Sequence, residues 1–203
     1  ADLDYPIHFL DFESFNPALP LYEGTSPYKI IPFQWSNHIM DEDGTIRHEE
    51  FLHDGFDDPR EPFAKSLLQS LEDEGSIVVY SAFEASRIKE LMQLLPHLSD
   101  ELYELFARIV DLLKLVRAHC YHPEFHGSFS IKYVLPALVP DLGYKDLEIN
   151  DGGLASIAYA EIVNHATDHA RREHLRHGLL KYCERDTEAE VRLYQKLTTR
   201  SGK

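Results

Sequence analysis

The chain has 203 residues, of which 43% are hydrophobic and 27% are charged, a balance that is typical of a single soluble globular domain. Its 20 lysine and arginine residues against 35 aspartate and glutamate residues give a formal net charge of −15. That charge opposes broad binding to nucleic acid, although a bound cation or a local basic patch would act against it. No apolar run is long enough to cross a membrane, so we expect no membrane partner.

Two features bear on the compartment and on the completeness of the chain. Cys120 and Cys183 lie far apart without metal-type spacing, which fits a reducing cytoplasm better than a disulfide framework. We therefore expect a cytoplasmic protein, with no secretory leader. Because the chain begins at Ala1 rather than methionine, we also consider that it is a piece of a longer protein. The oligomeric state stays open.

The first part of the chain predicts a meander of strands. Alternating side chains favour a first strand over residues 5–14, followed by a loop over 16–27 that is rich in proline and glycine. Apolar and aromatic residues predict a second strand over 28–40. The Asp-Glu-Asp-Gly turn at 41–44 then leads into a third strand over 45–53.

Helices and strands are predicted to alternate in the rest of the chain. Residues 76–80 form a short run rich in β-branched side chains, which is typical of a buried parallel strand. Residues 109–113 fit either a short strand or a helix start. Helical spacing or capping signals mark 57–73, 83–95, 100–106, 130–138, 153–164 and 168–197. This order predicts one α/β domain over 1–203, with a mixed sheet (antiparallel meander plus parallel strands) flanked by helices.

Asp11 and Glu13 lie on alternate positions of the first predicted strand, so their carboxylates point to the same side. Two neighbouring carboxylates repel each other unless a cation lies between them, and a hard divalent ion with oxygen ligands meets that need. The alternative is a strand that ends at the surface with solvated acids. We place this acid pair on a strand at the edge of the sheet.

Near the C-terminus, Tyr182 and Asp186 are four residues apart on a predicted helix and therefore share one face. A phenol beside a carboxylate is able to orient a water molecule while the carboxylate holds a metal ion. An ordinary aromatic–acid pair on an amphipathic helix is the alternative. Between these segments, Glu84 follows a central strand, at the sheet end where active sites of α/β domains gather, although an acid in a first helical turn also suits the helix dipole.

Asp111 is a second candidate for the same position, because it is an acid embedded among apolar neighbours. It equally suits the cap of a following helix. A different metal site is suggested by His119, His122 and His126 with Cys120 in one loop, or by His165 and His169 four residues apart. Neither set matches a closed zinc signature.

Together, the acids resemble the DEDD 3′–5′ exonuclease superfamily, whose members have a ribonuclease-H-like fold. Asp11-Phe-Glu13 resembles its first motif, 80–84 its second, and Tyr182-x-x-x-Asp186 its third in the version that uses tyrosine. More closely, the chain resembles the domain of unknown function 2779 family. The stretches that carry this resemblance are 9–13, 53–55, 58–63, 128–132, 134–138 and the Tyr182 motif.

The resemblance implies a metal-dependent 3′–5′ exonuclease that hydrolyses DNA or RNA with two Mg²⁺ or Mn²⁺ ions, at single-stranded or frayed 3′ ends. It implies that Asp11 bridges the ions, that Glu13 and Asp186 complete the first, and that Glu84 supports the second. Tyr182 would orient the attacking water. One departure is that the second motif usually supplies asparagine and aspartate where this chain has Tyr80 and Glu84.

Two further points stay open on the sequence alone. The basic residues Arg171, Arg172, Arg176 and Lys181 precede Tyr182, and they either guide a nucleic-acid strand or pair with nearby acids as solvated helix charges. Lys132 is a similar candidate. The alternative function is a catalytically inactive module that keeps the fold and binds nucleic acid or a partner protein, with Glu84 marking lost activity.

Overall fold

Five strands form one mixed sheet in the computed structural model, which describes residues 3–200. Its strands are β1 Ile7–Phe15, β2 Ile31–Met40, β3 Ile46–Leu52, β4 Ser76–Val79 and β5 Ile109–Asp111. Their order across the sheet is β3-β2-β1-β4-β5. The pairs β1–β2 and β2–β3 are antiparallel, whereas β4 runs parallel to β1, and β5 parallel to β4. The predicted α/β class and the mixed sheet are confirmed.

Seven α-helices flank the sheet in the described part of the chain. They are α1 Arg60–Leu71, α2 Phe83–Leu94, α3 Ser99–Ala107, α4 Leu112–His119, α5 Ile131–Leu138, α6 Gly152–Ile162 and α7 His169–Arg200. The ambiguous segment 109–113 holds both predicted possibilities, because β5 ends at Asp111 and α4 begins at Leu112. Across residues 3–200, every helix is too short or too polar to cross a membrane.

The two faces of the sheet are covered by different helices. On one face, Leu10 and Phe12 of β1 pack in an apolar core with side chains of α1, α2 and α3, such as Leu67 and Leu102. On the other face, Phe9 of β1 packs against residues of α4, α5 and α7. Because side chains alternate along a strand, Asp11 and Glu13 follow Phe9 onto the α7 side.

Strand β1 lies at the centre of the sheet, so the predicted edge position of the acid pair is wrong. The sequence shows the antiparallel meander clearly, but β4 joins the far side of β1 through a parallel pairing that no local pattern specifies. The parallel pairing of β1 with β4 also determines where a ligand site is able to form. The carboxyl ends of β1 and β4 meet at one end of the sheet, which is where ligand sites of α/β domains form.

Candidate functional site

Three acids from distant parts of the chain meet at the end of β1. Asp11 and Glu13 extend from β1, and Asp186 extends from α7, which packs across β1 and β2. Each offers a carboxylate oxygen within 4.8 Å of the others. Glu13 and Asp186 are buried, and Asp11 is partly exposed. A cluster of this kind is close enough for all three carboxylates to contact one cation.

The other two predicted site residues face the same space. A cavity of about 650 Å³ is lined by Asp11, Glu13, Glu84, Tyr182 and Asp186. Glu84 lies in the first turn of α2, just beyond the end of β4, and is only 3% exposed. The structure therefore brings together all five residues that the sequence singled out.

The crowding of carboxylates strongly perturbs their proton affinity. Burial raises the pKa of Asp11 well above its ordinary value, and the charges of Asp186 and Glu84 raise it further. Burial and then Asp186 raise the pKa of Glu13 well above its usual range, while Lys132 opposes them. Burial raises the pKa of Glu84 to about 8. The cluster therefore holds protons, or another positive charge, near neutral pH.

Two tyrosine hydroxyl groups support the carboxylate of Asp186. Burial raises its pKa to about 6, and this rise is opposed by the hydroxyl of Tyr144, the charge of Lys132, the hydroxyl of Tyr182 and the charge of Arg185. Tyr144 donates its hydroxyl proton to Oδ1 of Asp186 at 2.5 Å. The sequence does not predict this contact, because Tyr144 lies in a loop, 42 residues away in the chain, with no pattern that points to Asp186.

Glu190 is a fifth carboxylate in the cavity, and it is not among the site residues predicted from the sequence. It is 1% exposed, and burial, followed by the charges of Glu84 and Asp186, raises its pKa well above the ordinary value. The signal was available, because Glu190 follows Asp186 by four residues and Tyr182 by eight, which places all three on one face of α7.

The donor set suits a hard divalent cation. Oε2 of Glu84 and Oε2 of Glu190 are buried, and neither has a hydrogen-bond partner among the described residues. An unpartnered buried carboxylate oxygen is costly in free energy unless a proton or a cation satisfies it. Carboxylate oxygens are the ligands that Mg²⁺ and Mn²⁺ prefer, so the residues present fit these ions.

Positive charge enters the cavity from the α5 side. Lys132 lies at the start of α5, with Nζ 5.4 Å from the ring centre of Tyr182 and 5.5 Å from that of Tyr144. Its ammonium group donates to the carbonyl oxygen of Asn150 at 2.7 Å. Arg117 of α4 also lines the cavity. These two cations are therefore positioned to meet an anionic ligand that enters the site.

Asp111, the alternative to Glu84, and Tyr80, at the start of the second motif, both make structural hydrogen bonds. Asp111 caps α4, because its carboxylate accepts a hydrogen bond from the backbone N–H of Lys114 at 3.2 Å. This matches the capping alternative, although the charge of Asp111 still raises the pKa of Glu84. Tyr80 donates its hydroxyl proton to the carbonyl oxygen of Phe129 at 2.8 Å, which ties the end of β4 to the segment before α5.

The four basic residues that precede Tyr182 on α7 lie outside the cavity, and two of them pair with acids. Arg171 binds the carboxylate of Glu161 through two hydrogen bonds of 2.9 and 3.1 Å. Arg176 lies 3.2 Å from a carboxylate oxygen of Asp54. Lys181 lines a separate cavity, and Arg172 donates to the backbone carbonyl of Asp54. The structure thus favours solvated or paired helix charges over a guide for nucleic acid at these positions.

The histidines proposed as alternative zinc ligands do not assemble. Within residues 3–200, two groups of three or more potential ligands have atoms within 4.8 Å of one another, and neither includes His119, His122, His126, His165 or His169. His122 instead accepts a hydrogen bond from the backbone N–H of Glu124, and His165 stacks on Phe56. The second group consists of His38, His48 and Glu184.

Comparison with known proteins supports the family assignment. A family model described as "Domain of unknown function (DUF2779)" matches residues 8–130, which is more than half of the chain. The matched region contains Asp11, Glu13 and Glu84, whereas Tyr182 and Asp186 lie beyond it. No curated protein and no solved structure matches the chain. The chain therefore belongs to the DUF2779 family.

Proposed function

We propose that this protein is a metal-dependent 3′–5′ exonuclease that hydrolyses phosphodiester bonds of DNA or RNA. The observation that carries the proposal is the convergence of Asp11, Glu13 and Asp186 within 4.8 Å, although Asp11 and Asp186 are 175 positions apart in the chain. Glu84 and Tyr182 complete the site in the same cavity. A fold needs no such concentration of buried acids for stability, since each carboxylate raises the others' pKa.

The architecture supports the same proposal. An antiparallel meander followed by parallel strands, with helices on both faces, is the arrangement expected of a ribonuclease-H-like fold. The acid pair lies on the central strand, the second-motif acid follows the next parallel strand, and the tyrosine motif lies on the last helix. We therefore propose that the chain resembles the DEDD superfamily both in the motifs themselves and in the positions of these motifs on the sheet and helices.

Each side chain has a defined task in this proposal. Asp11, Glu13, Glu84 and Asp186 would hold two Mg²⁺ or Mn²⁺ ions, with Glu190 as a further buried acid beside them. When bound, such ions lower the pKa of the attacking water and neutralise charge on the leaving oxygen. Tyr182 would orient that water, and Tyr144 fixes the carboxylate of Asp186 by donating a hydrogen bond to it.

The surroundings of the acids fit a nucleic-acid terminus. Lys132 and Arg117 line the cavity and would bind phosphate oxygens of the substrate, against the overall negative charge of the chain. A cavity of about 650 Å³ holds a terminal nucleotide better than a continuous duplex, so we propose a single-stranded or frayed 3′ end as substrate. Two free thiols fit a cytoplasmic location.

The test uses oligonucleotides labelled at the 5′ end, incubated with the purified protein and Mn²⁺. We expect stepwise shortening from the 3′ end, abolished by EDTA and by Asp11→Asn or Asp186→Asn. Asp100→Asn is the matched control, because Asp100 is an exposed acid of α3 outside the cavity, and we expect this variant to keep full activity.

Two results would contradict the proposal. Shortening that persists in Asp11→Asn would show that the activity comes from elsewhere. Retained oligonucleotide binding without turnover, across DNA and RNA substrates and with either ion, would instead support the catalytically inactive module, in which Glu84 no longer meets the geometry that hydrolysis needs.

A further inference from the structure

A second cluster of possible metal ligands lies on the α7 face of the sheet, on strands β2 and β3. His38 of β2 and His48 of β3 are directly opposite each other in the antiparallel register, with ring centres 4.5 Å apart. Glu184 of α7 approaches them, and its Oε1 lies 3.9 Å from Nδ1 of His48. Each of the three residues offers a ligand atom within 4.8 Å of the others.

Hydroxyl groups support both imidazoles from the buried side of the cluster. The hydroxyl oxygen of Thr187 lies 2.8 Å from Nδ1 of His38 and 2.8 Å from the hydroxyl oxygen of Ser36. The hydroxyl oxygen of Ser36 lies 2.8 Å from Nε2 of His48. Each ring therefore has one nitrogen within hydrogen-bond distance of a hydroxyl group.

When Nδ1 of His38 and Nε2 of His48 donate to these hydroxyl groups, Nε2 of His38 and Nδ1 of His48 keep lone pairs for a metal ion. Nδ1 of His48 is also the nitrogen that lies 3.9 Å from Glu184. A histidine that binds a metal typically donates its other N–H to a neighbouring acceptor in this way. Ser36 and Thr187 are both fully buried, so these supporting hydrogen bonds are shielded from water.

We propose that His38, His48 and Glu184 form a binding site for a transition-metal ion of the zinc class, separate from the carboxylate site. Two imidazole nitrogens and one carboxylate suit Zn²⁺ and its neighbours far better than Mg²⁺, which prefers oxygen ligands throughout. The site shares no residue with the Asp11, Glu13 and Asp186 group. The inference is independent of the proposed exonuclease activity.

The exposure of the ligands indicates an open site. The side chain of His48 is 22% exposed and that of Glu184 is 49% exposed, so one side of the cluster faces solvent. Three protein ligands with solvent access leave a coordination position for water or another small ligand. A metal ion here would also link α7 to β2 and β3, in addition to the hydroxyl contacts and the hydrogen bond from Gln34 to the carbonyl oxygen of Leu179.

The test is a titration of metal-stripped protein with Co²⁺, followed by visible absorption and by displacement with Zn²⁺. We expect visible absorption bands from Co²⁺ bound at the histidine cluster, and Zn²⁺ should remove these bands. Both Asp11→Asn and Asp186→Asn should keep them, because neither substitution removes a ligand of this cluster. His48→Ala and Glu184→Gln should weaken Co²⁺ binding by at least about 10-fold, because each removes a ligand. Thr187→Val should weaken it as well, through the orientation of His38.

His177→Ala is the matched control, because His177 is an exposed histidine of the same helix outside the cluster, and we expect it to bind Co²⁺ normally. Glu184 is exposed, so Glu184→Gln guards against a variant that fails because it does not fold. The proposal is overturned if no Co²⁺ or Zn²⁺ binds, if binding survives in both His48→Ala and Glu184→Gln, or if Asp11→Asn removes it.

Discussion

The two faces of β1 differ sharply, although they alternate along the same nine residues. Leu10 and Phe12 point into an apolar core that α1, α2 and α3 cover, and both are almost completely buried. Asp11 and Glu13 point the opposite way, towards α7, where five carboxylates share one cavity. The apolar face stabilises the fold, whereas the acidic face costs stability until a positive charge joins it.

The largest difference in the free energy of unfolding is expected between two neighbouring substitutions on opposite faces of β1. Leu10→Ala removes a fully buried side chain and should lower the free energy of unfolding by about 2–5 kcal/mol. Asp11→Asn removes a charge that repels Glu13, Glu84 and Asp186, so in the absence of metal it should leave stability unchanged or raise it. Urea unfolding in EDTA measures both effects, and an equal loss in the two variants would refute the contrast.

The acidic face should also make stability depend on pH. The pKa of Glu84 rises from 4.5 to about 8 on folding, so the folded state binds this proton more tightly than the unfolded state. The resulting stability is fully present below about pH 4.5 and is lost as the pH rises through 8. We expect the free energy of unfolding of the wild type, measured in EDTA, to decrease between pH 5 and pH 9. In Glu84→Gln this decrease should be smaller by a few kcal/mol.

Glu101→Gln is the control for this pH series, because Glu101 is exposed on α3, and its curve should follow that of the wild type. Parallel curves for Glu84→Gln and the wild type would show that Glu84 ionises in the folded state as freely as in the unfolded chain.

A divalent ion should offset the cost of the acidic face. Mn²⁺ at about 100 times its dissociation constant should stabilise the fold by about 2.7 kcal/mol, as any ligand does that binds the folded state alone. The gain should increase with pH, since the carboxylates must lose their protons to bind the ion. Thermal unfolding with and without Mn²⁺ measures it, and Asp186→Asn should show little of the gain. An equal shift in that variant would place the ion elsewhere.

A smaller effect is expected from the hydrogen bond that supports Asp186. Tyr144→Phe removes the hydroxyl that donates to this carboxylate and should reduce Mn²⁺ affinity or nuclease activity by roughly 10–100-fold, as is typical when a ligand loses its hydrogen-bond partner. Tyr133→Phe, at an exposed tyrosine of α5, is the control. No change in Tyr144→Phe would mean that Asp186 is oriented without this hydrogen bond.

Local patterns were enough to predict most of the secondary structure. The alternation in β1, the turn at 41–44 and the helical spacing of α1, α2 and α7 all lie within short stretches, where the physical cause is the direction of successive side chains. The elements differ from the predictions mainly at their ends: the second strand, predicted from residue 28, begins at Ile31. Residue 28 has a positive φ of 60°, which is incompatible with a strand.

The candidate site likewise contains residues that local periodicity predicts and contacts that it does not predict. Periodicity alone placed Asp11 beside Glu13 and Tyr182 beside Asp186, and it was able to reveal Glu190 as well. It was unable to reveal Tyr144, whose link to Asp186 depends on how a loop packs on α7. The sequence is compatible with two roles for Arg171 and Arg176, because it does not state which acids lie nearby in space, and the structure places both beside acids of other segments.

By itself, the sequence determined the class of the fold, the strands and helices, and the pairs of acids that share a strand face or a helix face, because these depend on side-chain directions within a few residues. Only the tertiary structure decided that β1 is central, that α7 brings Asp186 and Glu190 to it, and that His38 and His48 meet Glu184. Contacts of this kind depend on strand pairing and helix packing across many tens of residues, which no local periodicity encodes.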